Sequence, residues 1–102
     1  MLAEFSITPV GGGESIGDAI ASVIRVVDES GMPYRANAMG TIIEGSWDDI
    51  MGLIKRCQEE VVKKAPRVVT NIQIDLRPGK PLDRLTEKLK SVEKRLGKKI
   101  KT

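Results

Sequence analysis

The residues best suited to chemistry fall in two alternating runs. In residues 2–9 Ala3, Phe5 and Ile7 point one way and Glu4, Ser6 and Thr8 the other. In residues 67–76 Val68, Thr70, Ile72, Ile74 and Leu76 oppose Arg67, Val69, Asn71, Gln73 and Asp75. If each apolar set rests on a core, the pleat brings Glu4, Ser6, Thr8, Asn71, Gln73 and Asp75 onto one helix-free sheet face, with Arg35 and Asn37 beside them. Carboxylates, hydroxyls and carboxamides together make a hydrogen-bonding surface for a small polar molecule. Met39, Thr41 and Ile43 are expected on the same face and make it part apolar, as ligand sites and subunit contacts usually are.

The types that are missing narrow the chemistry further. With no histidine in 102 residues, the commonest general base, Ser-His and Cys-His nucleophile pairs and the usual zinc sets are all excluded. The single cysteine, Cys57, cannot form an internal disulfide, and it falls on an apolar helix stripe. A mechanism using carboxylates alone survives in principle, but nothing in the sequence calls for it. The glycines at 11–13 do not complete a nucleotide motif. Ile16 stands where a dinucleotide loop needs its third glycine, and Asp18 stands where a P-loop needs lysine. The chain is therefore expected to bind and not to catalyse.

Composition places the chain among folded, soluble proteins of one domain spanning 1–102, with 40% hydrophobic and 30% charged residues. No apolar run approaches the ~20 residues that span a bilayer, and the first residues lack a secretory pattern, so a cytoplasmic location without membrane contact is expected. The net charge of +3 is uneven: residues 1–79 carry 8 Lys/Arg against 11 Asp/Glu, and residues 80–102 carry 9 against 3. The basic excess reads as a solvated helix face.

The elements that must position these residues follow from pattern and punctuation. A first strand ends at Gly11-Gly12-Gly13. Ser15 with Asp18 caps a helix carrying Ile16, Ala19, Ile20, Val23, Val26 and Val27 at helical spacing, and Gly31 stops it. Residues 34–45 read as a hairpin turning near Met39-Gly40. Ser46 with Asp49 caps a second helix, whose stripe of Trp47, Ile50, Met51, Ile54, Cys57 and Val61 runs to about Lys64, before Pro66 and the last strand. Trp47 is expected to pack on the first turn.

The order βαββαβ, with right-handed crossovers, gives an α+β ferredoxin-like sandwich: a four-stranded antiparallel sheet with both helices on one face. An extra C-terminal helix follows, with Leu82, Leu85, Leu89, Val92 and Leu96 as a seam that must pack on its own domain or on a neighbouring subunit. Such a helix covers part of the sheet, whose polar groups must then be satisfied by a small molecule, by water or by a symmetry mate. RNA recognition on this fold uses exposed aromatics of the central strands, and aromatics make up 3% of the chain, so no nucleic-acid partner is expected.

Four segments resemble one family: Ala-Glu-Phe-Ser-Ile-Thr-Pro-Val-Gly at 3–11, Met-Gly-Thr-Ile-Ile-Glu-Gly at 39–45, Arg-Val-Val-Thr-Asn-Ile-Gln-Ile-Asp-Leu-Arg at 67–77 and Lys-Ser-Val-Glu-Lys-Arg-Leu at 90–96. They resemble the small thiamine-binding proteins related to YkoF. The resemblance implies homodimers apposed through their sheets, commonly dimers of dimers forming a homotetramer. It also implies a pocket for thiamine or its hydroxymethylpyrimidine part, no required cofactor and no reaction. The matching positions are Glu4, Ser6, Met39, Thr41, Glu44, Asp75 and Arg77. An aminopyrimidine suits Ser6, Thr8, Asn37 and Asn71, a thiazolium cation favours Glu4, Glu44 or Asp75, and Met39 offers a polarizable wall. The reading from another class is an oligomeric regulatory or scaffolding protein that binds a different metabolite or a protein partner.

Overall fold

A computed structural model of the chain describes residues 1–13, 15–79 and 84–102. The elements are β1 (Leu2–Val10), α1 (Ile16–Ser30), β2 (Tyr34–Asn37), β3 (Gly40–Glu44), α2 (Trp47–Val62), β4 (Arg67–Asp75) and α3 (Arg84–Leu96). The strands form one antiparallel sheet in the order β2-β3-β1-β4, the ferredoxin-like arrangement expected from the pattern. Leu82 of the expected seam lies outside the described residues, as do Lys80 and Pro81.

Both helix starts form as their serines dictate. Ser15 Oγ accepts from the Asp18 amide at 3.0 Å and Ser46 Oγ from the Asp49 amide at 3.1 Å, each satisfying one of the amides that a first turn leaves free. α1 ends at Gly31, which takes the left-handed φ of 76° that a chiral residue adopts at a cost. The two helices cover one sheet face. Ala3, Phe5 and Ile7 of β1 meet Val23 and Val27 of α1 and Ile50, Leu53, Ile54 and Val61 of α2 in a single apolar cluster.

Cys57 belongs to this core, its thiol 3.9 Å from the Val23 carbonyl oxygen, and burial pushes its pKa from 9.0 up to about 11. Between these values the unfolded chain loses a proton that the folded chain keeps. Stability should therefore fall as pH rises from about 9 to about 11, by up to about 2 kcal/mol. Urea unfolding across that range should show a shallower decline for Cys57→Ala, and parallel declines would contradict the assignment.

The hairpin departs from expectation in one respect. Asn37 pairs with Gly40 across a two-residue turn, so odd positions of β2 share a face with even positions of β3. Thr41 and Ile43 consequently lie on the helix side, opposite Phe5 and Ala3, and not on the open face with Arg35 and Asn37. Ile43 is fully buried and Thr41 is 6% exposed. On the open face β3 shows Ile42 and Glu44 instead, opposite Glu4 and Leu2. Trp47, expected against its helix turn, is exposed.

α3 packs by its start. Leu85 is buried and Leu89 half-buried beside Leu2 and Ile42 of the open face, while Val92 and Leu96 remain exposed farther along the same seam. The helix thus covers one end of the sheet and leaves its other end uncovered within the chain.

Candidate functional site

Strand lengths create the first site. β1 pairs with β4 through Val10, but with β3 only through Phe5. A Cβ built on Gly40 would stand 2.9 Å from the Phe5 carbonyl oxygen, which places that oxygen on the β3 side. In an antiparallel ladder alternate residues turn both peptide groups the same way, so odd residues of β1 address β3 and even residues address β4. Pro9 obeys this pattern: it has no N–H to give and stands at an odd position beyond the end of β3. The N–H and C=O of Ile7 therefore point past the end of β3, and no bond from them to another segment is seen among the described residues.

A cleft of about 290 Å³ opens at this place, between α1, the exposed edge of β1 and the hairpin end. Ile7, Ile20 and Val23 form its apolar wall, Met39 its rim, and Ser6, Thr8, Asn37 and Thr41 bring polar groups to it. Ile16 and Ile20 are exposed although they sit on the apolar side of α1, because the sheet ends before it can cover them. The Asn37 carboxamide is partly committed, since its Oδ1 accepts from the amides of Met39 at 2.7 Å and Gly40 at 3.0 Å and so fixes the turn. Thr41 reaches the cleft from the helix side and Ser6 from the other, so the opening wraps the edge of the sheet.

The remaining predicted residues divide between two further places. Glu4 and Asn71 lie with Ser6, Gln73 and Met39 around a shallow recess of about 200 Å³ on the open face. Glu44 and Asp75 hold α3. The buried Glu44 carboxylate accepts from the Leu85 amide at 3.4 Å at the start of that helix, where negative charge is favoured, and Asp75 pairs with Lys88 at 2.5 Å. Between them runs a groove of about 480 Å³, with Leu2, Ile42 and Leu89 as apolar lining and Glu4, Arg35 and Gln73 as polar lining. Pattern reading passed over Ile20 and the Ile7 peptide. The available signal was that Ile16, Ile20 and Ile24 widen the α1 stripe beyond what one sheet covers.

Among the described residues no group of three His, Cys, Asp or Glu side chains could hold a metal ion, and no helix is long and apolar enough to cross a membrane. Chemically, the hairpin-end cleft can grip a flat heterocycle between aliphatic walls and offer its rim one donor and one acceptor side by side.

A family model described as thiamine-binding protein matches residues 3–93. The chain is similar to a UPF0045 protein of Mycobacterium bovis, with 43% identity over 97 residues that make up 94% of each chain. Among solved structures it is similar to a hypothetical protein of Methanocaldococcus jannaschii, with a TM-score of 0.79, 34% identity, and coverage of 89% of this chain and 93% of that one. It is also similar to a domain of unknown function from Bacillus cereus, with a TM-score of 0.78 and 30% identity over 87% of this chain and 86% of that one.

Proposed function

The chain belongs to the family of thiamine-binding proteins, and on that footing we propose that it binds thiamine or its hydroxymethylpyrimidine part, without catalysis, in the hairpin-end cleft. The observation that carries this reading is the uncovered edge of β1 between Ile20 and Met39. An aminopyrimidine presents an amino donor next to a ring-nitrogen acceptor, and the C=O and N–H of Ile7 answer both, as a strand edge answers an added strand. Ser6, Thr8 and Thr41 supply further bonds around the ring. The cleft lies at the lower end of ligand-pocket sizes, about 300 Å³, which suits a single small heterocycle. A thiazolium cation leaves toward Glu4, across the recess that shares Ser6 and Met39 with the cleft. Subunits apposed through their open faces and paired again into a tetramer belong to the same reading, and the exposed Val92 and Leu96 of α3 support them.

Calorimetric titration with hydroxymethylpyrimidine and with thiamine should show saturable binding. Thr41→Val removes a hydroxyl from the cleft and should weaken it about tenfold, the value of one hydrogen bond. Asn71→Ala alters only the open-face recess and should leave affinity for hydroxymethylpyrimidine, which stays in the cleft, within about twofold. No heat at millimolar concentration of either compound would end the reading, and loss at Asn71 with none at Thr41 would move the site to the sheet face.

A further inference from the structure

We propose that the groove between the open sheet face and α3 is a second small-molecule site, and that it takes an α-amino acid with an apolar side chain. The site is separate from the hairpin-end cleft and does not depend on the thiamine reading. No charged side chain lines the cleft, whereas the groove carries charges of both signs.

The strand register sets Arg35 beside Ile42, Ile42 beside Glu4 and Glu4 beside Gln73, one residue from each strand in a single row across the open face. All four line the groove. Neighbouring strands lie about 4.8 Å apart, so the guanidinium and the carboxylate start from backbone positions about 10 Å apart, with Ile42 between them. Both side chains are exposed, and among the described residues neither has an ion-pair or hydrogen-bond partner. The other two charged residues of the lining, Asp75 and Lys88, bind each other. α3 closes one side of the groove with Leu85 and Leu89. The volume of about 480 Å³ falls within the range of ligand pockets, about 300–1,000 Å³.

Such a row selects by charge balance. An anion alone is repelled by Glu4 and a cation alone by Arg35, while a zwitterion is attracted by both. An α-amino acid offers a carboxylate to the Arg35 fork and an ammonium that donates to the Glu4 carboxylate and the Gln73 carboxamide oxygen. Its two charged groups share one carbon, so Arg35 and Glu4 must lean toward each other over Ile42, which their long side chains allow. What remains of the ligand then meets Ile42 and the wall formed by Leu85 and Leu89. An apolar side chain gains from leaving water there, and a polar one does not.

Calorimetric titration with L-leucine and two of its fragments tests the assignment. Leucine should bind saturably and about tenfold more tightly than 4-methylpentanoate, which lacks the ammonium, or 3-methylbutylamine, which lacks the carboxylate. Each substitution should erase one preference. Glu4→Gln should remove the advantage over 4-methylpentanoate, and Arg35→Gln the advantage over 3-methylbutylamine. Both residues are exposed, so the fold tolerates either change. On protein already saturated with hydroxymethylpyrimidine, leucine affinity should stay within about twofold, and a hydroxymethylpyrimidine titration that shows no heat leaves the leucine result standing. Absence of leucine binding at tens of millimolar, preferences that survive both substitutions, or competition between leucine and hydroxymethylpyrimidine would overturn the second site.

Discussion

Replacing Gly12 with alanine is expected to cost about 3 kcal/mol of unfolding free energy, while the same change at Gly13 costs about 1 kcal/mol. Both residues have left-handed backbone, with φ of 74° and 72°, so both variants carry the strain of an L-residue there. Their surroundings differ. A Cβ on Gly12 would lie 2.7 Å from the Lys64 carbonyl oxygen and 2.8 Å from Pro66 Cδ, whereas one on Gly13 meets nothing within 4 Å. Neither obstacle at Gly12 is the free end of a flexible side chain: one is backbone and the other a ring. The loop leaving β1 is therefore pressed onto the turn that joins α2 to β4, and the two crossovers of the fold lock together at this point. Urea unfolding of the two variants should give this ordering with unchanged slopes. Equal losses would mean that the loop moves away without cost and that α1 is held by its core face alone.

The same contrast shows what a linear reading can and cannot supply. Ser15 and Ser46 carry their cap bonds in their own side chains, and β1 and β4 alternate strictly, so helix starts, strand faces and element order were legible before any geometry. Thr41 and Ile43 lie on the face opposite to the expected one because alternation does not carry through the hairpin. A two-residue turn reverses that parity, and turn length is a matter of a single residue. The contact of Glu44 and Asp75 with α3 has no sign in the sequence, because a carboxylate on a sheet looks the same whether it meets a ligand or a helix. Their partners, Leu85 and Lys88, lie 41 and 13 residues away, and only the docking of α3 brings them near. The cleft itself has one side-chain signal, the wide α1 stripe of Ile16, Ile20 and Ile24. It exists because β3 stops five residues short of the end of β1, and its most useful groups belong to the peptide of Ile7.

Ile20→Trp should abolish measurable binding, weakening it by at least about 100-fold, or about 2.7 kcal/mol, while leaving stability within about 1 kcal/mol. Ile20 is 50% exposed, so an indole at this position replaces solvent and ligand and disturbs no packed neighbour. Ile20→Ala should act through the opposite cause. It keeps the cleft open and removes aliphatic wall, costing about 1 to 2 kcal/mol of affinity. Val23, also in the cleft, cannot serve this test, because it is buried in the core and its truncation confuses binding with folding. The pair of Ile20 variants separates blocking from loss of contact, and near-ultraviolet circular dichroism with urea unfolding reports whether the fold is intact. If the tryptophan variant binds hydroxymethylpyrimidine as the wild type does, the cleft is not the site. The groove between the open face and α3 then becomes the place to look, and Leu89→Trp is the corresponding block there, since Leu89 lines that groove opposite Ile42 and Gln73.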